Sequence, residues 1–333
     1  MKKNNYNLLS LIIASALGTL RNIFIKQKDP SFPLKIDDYV YVEKWKKIGP
    51  RKSYPLAVYE NGYGKKAIAK MKSAKPKSYH YYSLKNEIYL YKILNKVLKR
   101  NKNKIPDEFK YCAIPKLIAA YETDEYIISL IEFIDGNVAE GLTPNEKIKI
   151  YFKTMEFLRF LGNHLSIKER NMISQRTPAN YITLYPLLLI KSLINYPNRF
   201  RDLLLGALIF VQSIPVILSE KKLVLVHRDL HFMNIIISKK MIYLIDLQQC
   251  LYTIPLHECV TTLRYWWKGW KNENFAEILL KEIETRYSNE KNFKQLFKGL
   301  IVNSVTHGLT GIGYSKKIIN GWIEFLEFGI NYN

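Results

Sequence analysis

The chain has 333 residues, 48% of them apolar, and a formal net charge of +22. That length holds two lobes, or one domain with an insertion, and the apolar share excludes general disorder. Of the 51 basic residues 40 are Lys and 11 are Arg. This excess is either a generally basic surface or the footprint of an anionic partner, and no zinc-finger spacing or recognition helix directs it to nucleic acid. Cys112, Cys250 and Cys259 form neither an even disulfide framework nor a metal-ligand cluster, which points to a reducing compartment.

At the N-terminus, after Lys2 and Lys3, the residues Leu8, Leu9, Ile12, Ile13, Ala16, Leu17 and Leu20 recur near helical spacing. The apolar part is short for a transmembrane helix. Residues 1–35 are therefore read as an amphipathic helix and linker, with Arg21, Lys26 and Lys28 placed for lipid headgroups. A helix packed on the protein's own core fits the pattern equally, and a secretory signal ranks below both.

Strand character begins at Tyr39 to Val42 and returns at Leu56 to Tyr59 and Lys66 to Met71. Pro50 to Tyr54 is a basic connecting loop, and Asn61-Gly62-Tyr63-Gly64 is a hairpin turn. Lys70 closes the run Ala67-Ile68-Ala69-Lys70, inside an apolar strand where an ordinary lysine would seek solvent. Tyr82 to Leu98 reads as a helix, with Glu87, Tyr91, Leu94 and Leu98 at helical intervals. After a charged break at Lys99 to Lys104, Tyr111 to Ala120 and Tyr126 to Phe133 complete a small sheet.

Nearly ninety residues separate Gly136 from Leu223. Pro144 and Glu146 open a helix that runs to about Gly162, and Tyr181 to Ile194 and Leu203 to Leu218 supply further apolar segments. Each run is short and broken by Pro or Arg, which argues against a polytopic membrane protein. Buried helices or a membrane-facing surface are the two remaining accounts.

The organising stretch is Leu223 to Gln249. An apolar run ends in a polar loop carrying His227, Arg228, Asp229, His231 and Asn234, and two more apolar runs lead to Asp246. Carboxylates at the ends of apolar runs make a poor core and a good cleft mouth. Phosphoryl transfer needs such a set: one carboxylate orients the acceptor hydroxyl, while an amide oxygen and a second carboxylate hold magnesium against the phosphates. Asp229, Asn234 and Asp246 are the candidates, and oxygen ligands suit magnesium better than zinc.

The His227-Arg228-Asp229-Leu230-His231 motif, with Asn234 five residues after Asp229 and Asp246 twelve further on, resembles the protein-kinase-like superfamily. The second histidine is more similar to aminoglycoside phosphotransferases and choline-type kinases, and the His-Arg-Asp triplet also resembles lipopolysaccharide core kinases. The resemblance implies an α+β, bilobal protein-kinase-like fold, with a small antiparallel-sheet N-lobe over 36–135 and a larger helical C-lobe over 136–333. A helical insertion at about 137–222 would wall the acceptor site. It implies ATP and Mg2+ as cofactors, with Lys70 on the donor phosphates, Glu87 as its ionic partner, Ile68 against the adenine, and backbone groups around Glu132 to Ile134 reading the adenine edge. Asp229 becomes the base or hydroxyl-orienting group, His227 a brace for its loop, and Asn234 and Asp246 the magnesium ligands.

After Asp246 the pair Leu247-Gln248 stands where protein kinases carry Phe-Gly, and no long activation segment follows. This weakens the reading as a serine/threonine kinase. The tail is mostly helical, including Glu258 to Trp270 with Arg264 and the Trp266-Trp267 pair, which suits an interface, a substrate wall or core packing. The expected function is ATP-dependent phosphorylation of a hydroxyl on a small molecule, sugar or lipid-linked acceptor, in the cytoplasm or peripherally on the inner face of the cell membrane. A serine/threonine kinase or a nucleotide-binding membrane scaffold is the alternative. The oligomeric state is not encoded in any motif.

Overall fold

The computed structural model describes residues 31–44, 55–75, 79–267, 273–311 and 314–332, so the helix expected at the N-terminus and the loop expected at Pro50 to Tyr54 fall outside the described residues. In chain order the first elements are β1 (Lys35–Ile36), β2 (Tyr39–Lys44), β3 (Leu56–Asn61), β4 (Lys66–Ser73), α1 (Tyr79–Arg100), β5 (Cys112–Ala113), β6 (Leu117–Glu122), β7 (Tyr126–Glu132) and β8 (Asn137–Val138). Next come α2 (Pro144–Asn163), α3 (Ile167–Arg170), α4 (Pro178–Asn195), α5 (Phe200–Ser219), β9 (Val224–Val226), β10 (Ile235–Ser238), β11 (Met241–Leu244) and β12 (Leu251–Thr253). The chain closes with α6 (His257–Trp266), α7 (Glu273–Tyr287), α8 (Phe293–Leu309) and α9 (Lys316–Asn331). Two units result: one reaches to Asn137 and takes in Ile235–Gln249, and the other comprises Val138–Asn234 and Cys250–Asn333.

The first unit is built on a six-stranded sheet in the order β1-β2-β3-β4-β7-β6, with every pairing antiparallel. Its pleat follows from β4, where Ala67, Ala69 and Met71 are fully buried on one face while Ile68 and Lys70 take the other. The β3–β4 turn forms because Asn61 Oδ1 accepts from the amides of Tyr63 and Lys65 at 3.1 and 3.0 Å, and Gly64 takes φ 73°. A second sheet pairs β10 with β11 in an antiparallel hairpin, and β11 with β5 in parallel. Cys112 and Ala113 therefore leave the main sheet, to which the sequence reading assigned the whole of Tyr111 to Ala120.

Helices dominate the second unit. Thr143 and Glu146 form a capping box at the start of α2, Ser166 and Glu169 one at α3, and Thr177 and Asn180 one at α4, with Pro at the first turn of α2 and α4. Helix α8 is the central element: every residue from Gly299 to Thr306 is buried. Helices α4 and α5 bury Tyr181, Leu184 and Tyr185, then Leu203, Phe210 and Ile217. Their other faces leave Leu187, Ile190, Ile194, Phe200, Leu208 and Val211 exposed. Pro197–Ser219 is the one helical stretch among the described residues long and apolar enough to span a bilayer, and 28% of its most apolar window is buried. Strand β9 pairs antiparallel with β12.

Close backbone approach fixes α2 against β9. A Cβ added at Gly162 would lie 2.6 Å from Leu225 Cβ, while the Gly162 carbonyl accepts from Tyr252 Oη at 2.7 Å. Gly162→Ala is expected to lower stability by about 1–3 kcal/mol through overpacking. Urea unfolding monitored by far-ultraviolet dichroism measures it, and an unchanged midpoint would contradict this packing.

Candidate active site

In the first unit, the alternation of β4 turns Lys70 away from the sheet core and toward α1. Its Nζ donates to both carboxylate oxygens of Glu87, at 2.7 and 3.0 Å, and to Asp246 Oδ1 at 2.8 Å. The Glu87 side chain is wholly buried, while Lys70 and Asp246 keep 11% and 18% of theirs exposed. Burial works against the ammonium, but the carboxylates of Asp246 and Glu87 outweigh it and hold the Lys70 pKa above that of an ordinary lysine. Lys70, Glu87 and Asp246, named from sequence, thus meet around one cation.

Asp246 takes φ 62°, a left-handed conformation that costs an aspartate about 1 kcal/mol or more. Its amide donates to the buried Tyr91 Oη at 3.2 Å, and the next turn is tied to α1 by Asn86 Nδ2, which donates to the Gln248 carbonyl at 3.2 Å. Ile68 shares the Lys70 face of β4 and is half-buried, as are Glu132 and Ile134. The Glu132 amide donates to the Lys116 carbonyl at 2.9 Å, and its Oε2 accepts from the Lys116 amide at 3.1 Å. Its N–H is therefore committed within the protein, which leaves its carbonyl and the Ile134 backbone as the groups suited to an adenine edge.

In the second unit, the loop after β9 is built around a residue that sequence reading passed over as a helix start. Buried Glu258 Oε2 accepts from the amides of His227 and Arg228 at 2.5 and 2.8 Å. Arg228 adopts φ 63°, which turns successive amides toward that one carboxylate. Burial raises the Glu258 pKa, while His227 and the amides of Arg228, His227 and Leu230 oppose the rise. His227 is fully buried, in keeping with a bracing place in the loop.

Asp229 keeps 29% of its side chain exposed and stands 3.8 Å from His231 Nε2. Asn234 Nδ2 donates to the Asp229 carbonyl at 2.9 Å and approaches His231 Nε2 at 3.2 Å. With the NH2 group so engaged, Oδ1 is the amide atom left to serve as a hard ligand. The donor types fit the nucleotide and metal that the sequence implies: a buried lysine for phosphate oxygens, and an amide and a carboxylate oxygen for Mg2+. Among the described residues no group of three His, Cys, Asp or Glu is placed to hold a metal by itself.

The tryptophan pair packs on rings: Trp266 lies 5.4 Å from Phe232 and 5.0 Å from Phe275, and Trp267 lies 4.8 and 4.5 Å from Phe325 and Phe328. Arg264 is buried, donates to the Ser304 carbonyl and stacks on Trp322.

The model of the phosphotransferase enzyme family matches residues 72–290. The chain belongs to that family and is an ATP-dependent phosphotransferase acting on an alcohol group. No curated protein matches the sequence. Among solved structures, a thermostable mutant of aminoglycoside phosphotransferase APH(4)-Ia, in ternary complex with ADP and hygromycin B, aligns with TM-score 0.57 and 11% identity over 87% of this chain and 92% of that one. Spectinomycin phosphotransferase APH(9)-Ia with ADP and spectinomycin gives 0.54 and 11% over 89% and 94%. Amicoumacin kinase hAmiN with AMP-PNP, Ca2+ and its ligand gives 0.53 and 11% over 97% and 95%. At such identities the likeness is one of fold: α+β, with an antiparallel-sheet unit and a helical unit, as the sequence led us to expect.

Two stability measurements probe these settings. Lys70→Met strands the buried Glu87 beside Asp246 and is expected to cost about 3 kcal/mol, part of which Glu87→Gln restores in the double variant. Equal stability of wild type and single variant in urea would contradict the buried pair. For His257, burial and then the charges of Arg176, Arg228, His307 and Arg264 hold the imidazole well below its ordinary pKa. The unfolded chain binds that proton near pH ~6.5 and the folded chain only at lower pH, so stability is full above that value and falls as pH drops below it. The melting midpoint should fall less between pH 7 and 5 in His257→Gln than in wild type, and parallel curves would refute this.

Proposed function

We propose that the chain transfers the γ-phosphate of ATP to a hydroxyl of a small molecule or lipid-linked sugar. The observation that carries this reading is the Lys70 ammonium held between Glu87 and Asp246. A lysine fixed in this way keeps its charge and position ready for donor phosphates. Asn234 and Asp246 each supply an oxygen to Mg2+, while Ile68 and the backbone of Glu132 to Ile134 serve the adenine. Asp229 orients the acceptor hydroxyl and takes its proton, with His227 bracing the loop from inside. The acceptor oxygen forms a bond to the γ-phosphorus, the bond from that phosphorus to the β,γ-bridging oxygen breaks, and ADP leaves with the bond's electron pair.

The three similar structures each hold a nucleotide together with a small molecule, hygromycin B, spectinomycin or the ligand of amicoumacin kinase, which favours a small molecule here. A lipid-linked acceptor is favoured by a separate observation, the exposed apolar residues Leu187, Ile190, Ile194, Leu208 and Val211 on α4 and α5. With the Lys excess, these residues support a cytoplasmic enzyme resting on the inner face of the cell membrane.

The test supplies γ-labelled ATP and Mg2+ to native cell extract, compares wild type with Asp229→Asn, and separates protein, aqueous and organic fractions. The variant should lose label in one non-protein fraction by about 10²- to 10⁴-fold while binding ATP as wild type does. Label dependent on Asp229 in the protein fraction would overturn the small-molecule reading. ATP binding with no such transfer in any fraction would overturn the enzymatic one.

A further inference from the structure

The second unit holds a set of cationic side chains that the transfer step does not use. Arg176, on the loop before α4, is 5% exposed, and its Nη2 donates to Asn303 Oδ1 at 2.8 Å. Its guanidinium lies 4.2 Å from the Tyr181 ring. Arg264, on α6, is also 5% exposed, donates to the Ser304 carbonyl and lies 5.0 and 5.1 Å from the rings of Tyr265 and Trp322. Asn303 and Ser304 are neighbours on α8, so both guanidinium groups rest on one turn of one helix. A Cβ added at Gly308, one turn on, would lie 3.0 Å from Arg264 Nη1, so glycine makes room for the guanidinium there.

Arg228, next to Asp229 in sequence, belongs to the same set. His307 lies on α8 four residues after Asn303 and three after Ser304, the two residues that accept from Arg176 and Arg264, and beside burial the charges of Arg176, Arg228 and Arg264 act on both it and His257. Burial, then the like charges of Arg228 and Arg264, bring Arg176 down to about 10 against the favourable influence of Tyr181. Among the described residues no carboxylate forms an ion pair with any of the three arginines. Buried Glu258 directs Oε2 at the amides of His227 and Arg228 and not at a guanidinium. The Nε atoms of Arg176, Arg228 and Arg264 are buried and lack a hydrogen-bond partner.

Buried charges are ordinarily paired, and several like charges left together in a low-dielectric setting imply that the partner is a ligand. Planar guanidinium groups favour carboxylate and phosphate oxygens. The set also borders the proposed acceptor end of the reaction, because Arg228 directly precedes Asp229 on the loop after β9. We infer that Arg176, Arg228, Arg264 and His307 form an anion subsite that holds a carboxylate or phosphate group of the acceptor, so that the acceptor is an acidic hydroxy compound. This rests on the phosphotransferase reading above. A polycationic aminocyclitol would meet repulsion here.

The experiment saturates the full-length chain with Mg-ADP and titrates inorganic phosphate, with chloride at equal ionic strength as the control. The melting midpoint of wild type should rise saturably with phosphate alone, and Arg176→Met or Arg264→Met should weaken phosphate about tenfold or more. Should these buried variants fail to fold, His307→Gln, at an exposed position, is expected to weaken phosphate by about threefold. No phosphate effect beyond chloride, or wild-type affinity in every folded variant, overturns the subsite.

A second arm asks whether the anion belongs to the acceptor. Extract metabolites are divided on anion and cation exchangers, and each pool is offered with γ-labelled ATP. Label arising from the anion-exchanger pool supports the proposal, whereas label from the cation-retained or unretained pool means that the subsite takes free phosphate, and overturns the acceptor claim. Phosphate binding that is sensitive to Arg176, in a chain that transfers no label to any pool, would instead fail the phosphotransferase reading and leave the subsite standing.

Discussion

A buried ammonium shared by two carboxylates is the constraint on which the first unit depends. Glu87 and Asp246 hold Lys70 in place, and without it the wholly buried Glu87 would lose its cationic partner. The arrangement ties β4, α1 and the segment after β11 to a common point. It also explains why Asp246 tolerates a left-handed backbone, since Tyr91 binds its amide and Lys70 its carboxylate. A cation that keeps its charge at any physiological pH is the kind of group that a triphosphate donor requires.

The second unit solves a different problem with the same physics. Its polar loop must present Asp229 and Asn234 from an apolar strand, and buried Glu258 gathers the amides that the turn leaves without strand partners. A buried acid organises each unit locally: Glu87 holds a side-chain cation and Glu258 holds backbone donors. The cationic set of Arg176, Arg228 and Arg264 stands apart because among the described residues no carboxylate forms an ion pair with it. The family supplies the reaction, and this imbalance gives the strongest physical hint of what the acceptor carries.

Much of this was legible from local sequence. Lys70 stood out as a charge in an apolar strand, Glu87 lay at the right point on the following helix, and the Asn61 to Gly64 turn followed from its residues. The spacing from Asp229 to Asn234 carried the resemblance. What escaped notice depends on contacts distant in sequence: Glu258 lies 31 residues from His227, Tyr91 lies 155 from Asp246, and Asn303 lies 127 from Arg176. No periodicity links such pairs. The apolar runs also concealed their pairing, since β9 joins β12 while β10 joins β11, and a short run of apolar residues does not encode its neighbour. In α4 and α5 apolar side chains occur around the whole helix, so composition alone could not separate the buried face from the exposed one.

The most direct test of the central claim is phosphorus NMR of the purified chain with ATP, Mg2+ and the small-molecule fraction of its own cells. The account requires a new phosphomonoester resonance that grows as the γ-phosphate signal declines, and that is absent with Asp229→Asn. Release of inorganic phosphate alone, or a monoester formed equally by the variant, would contradict it.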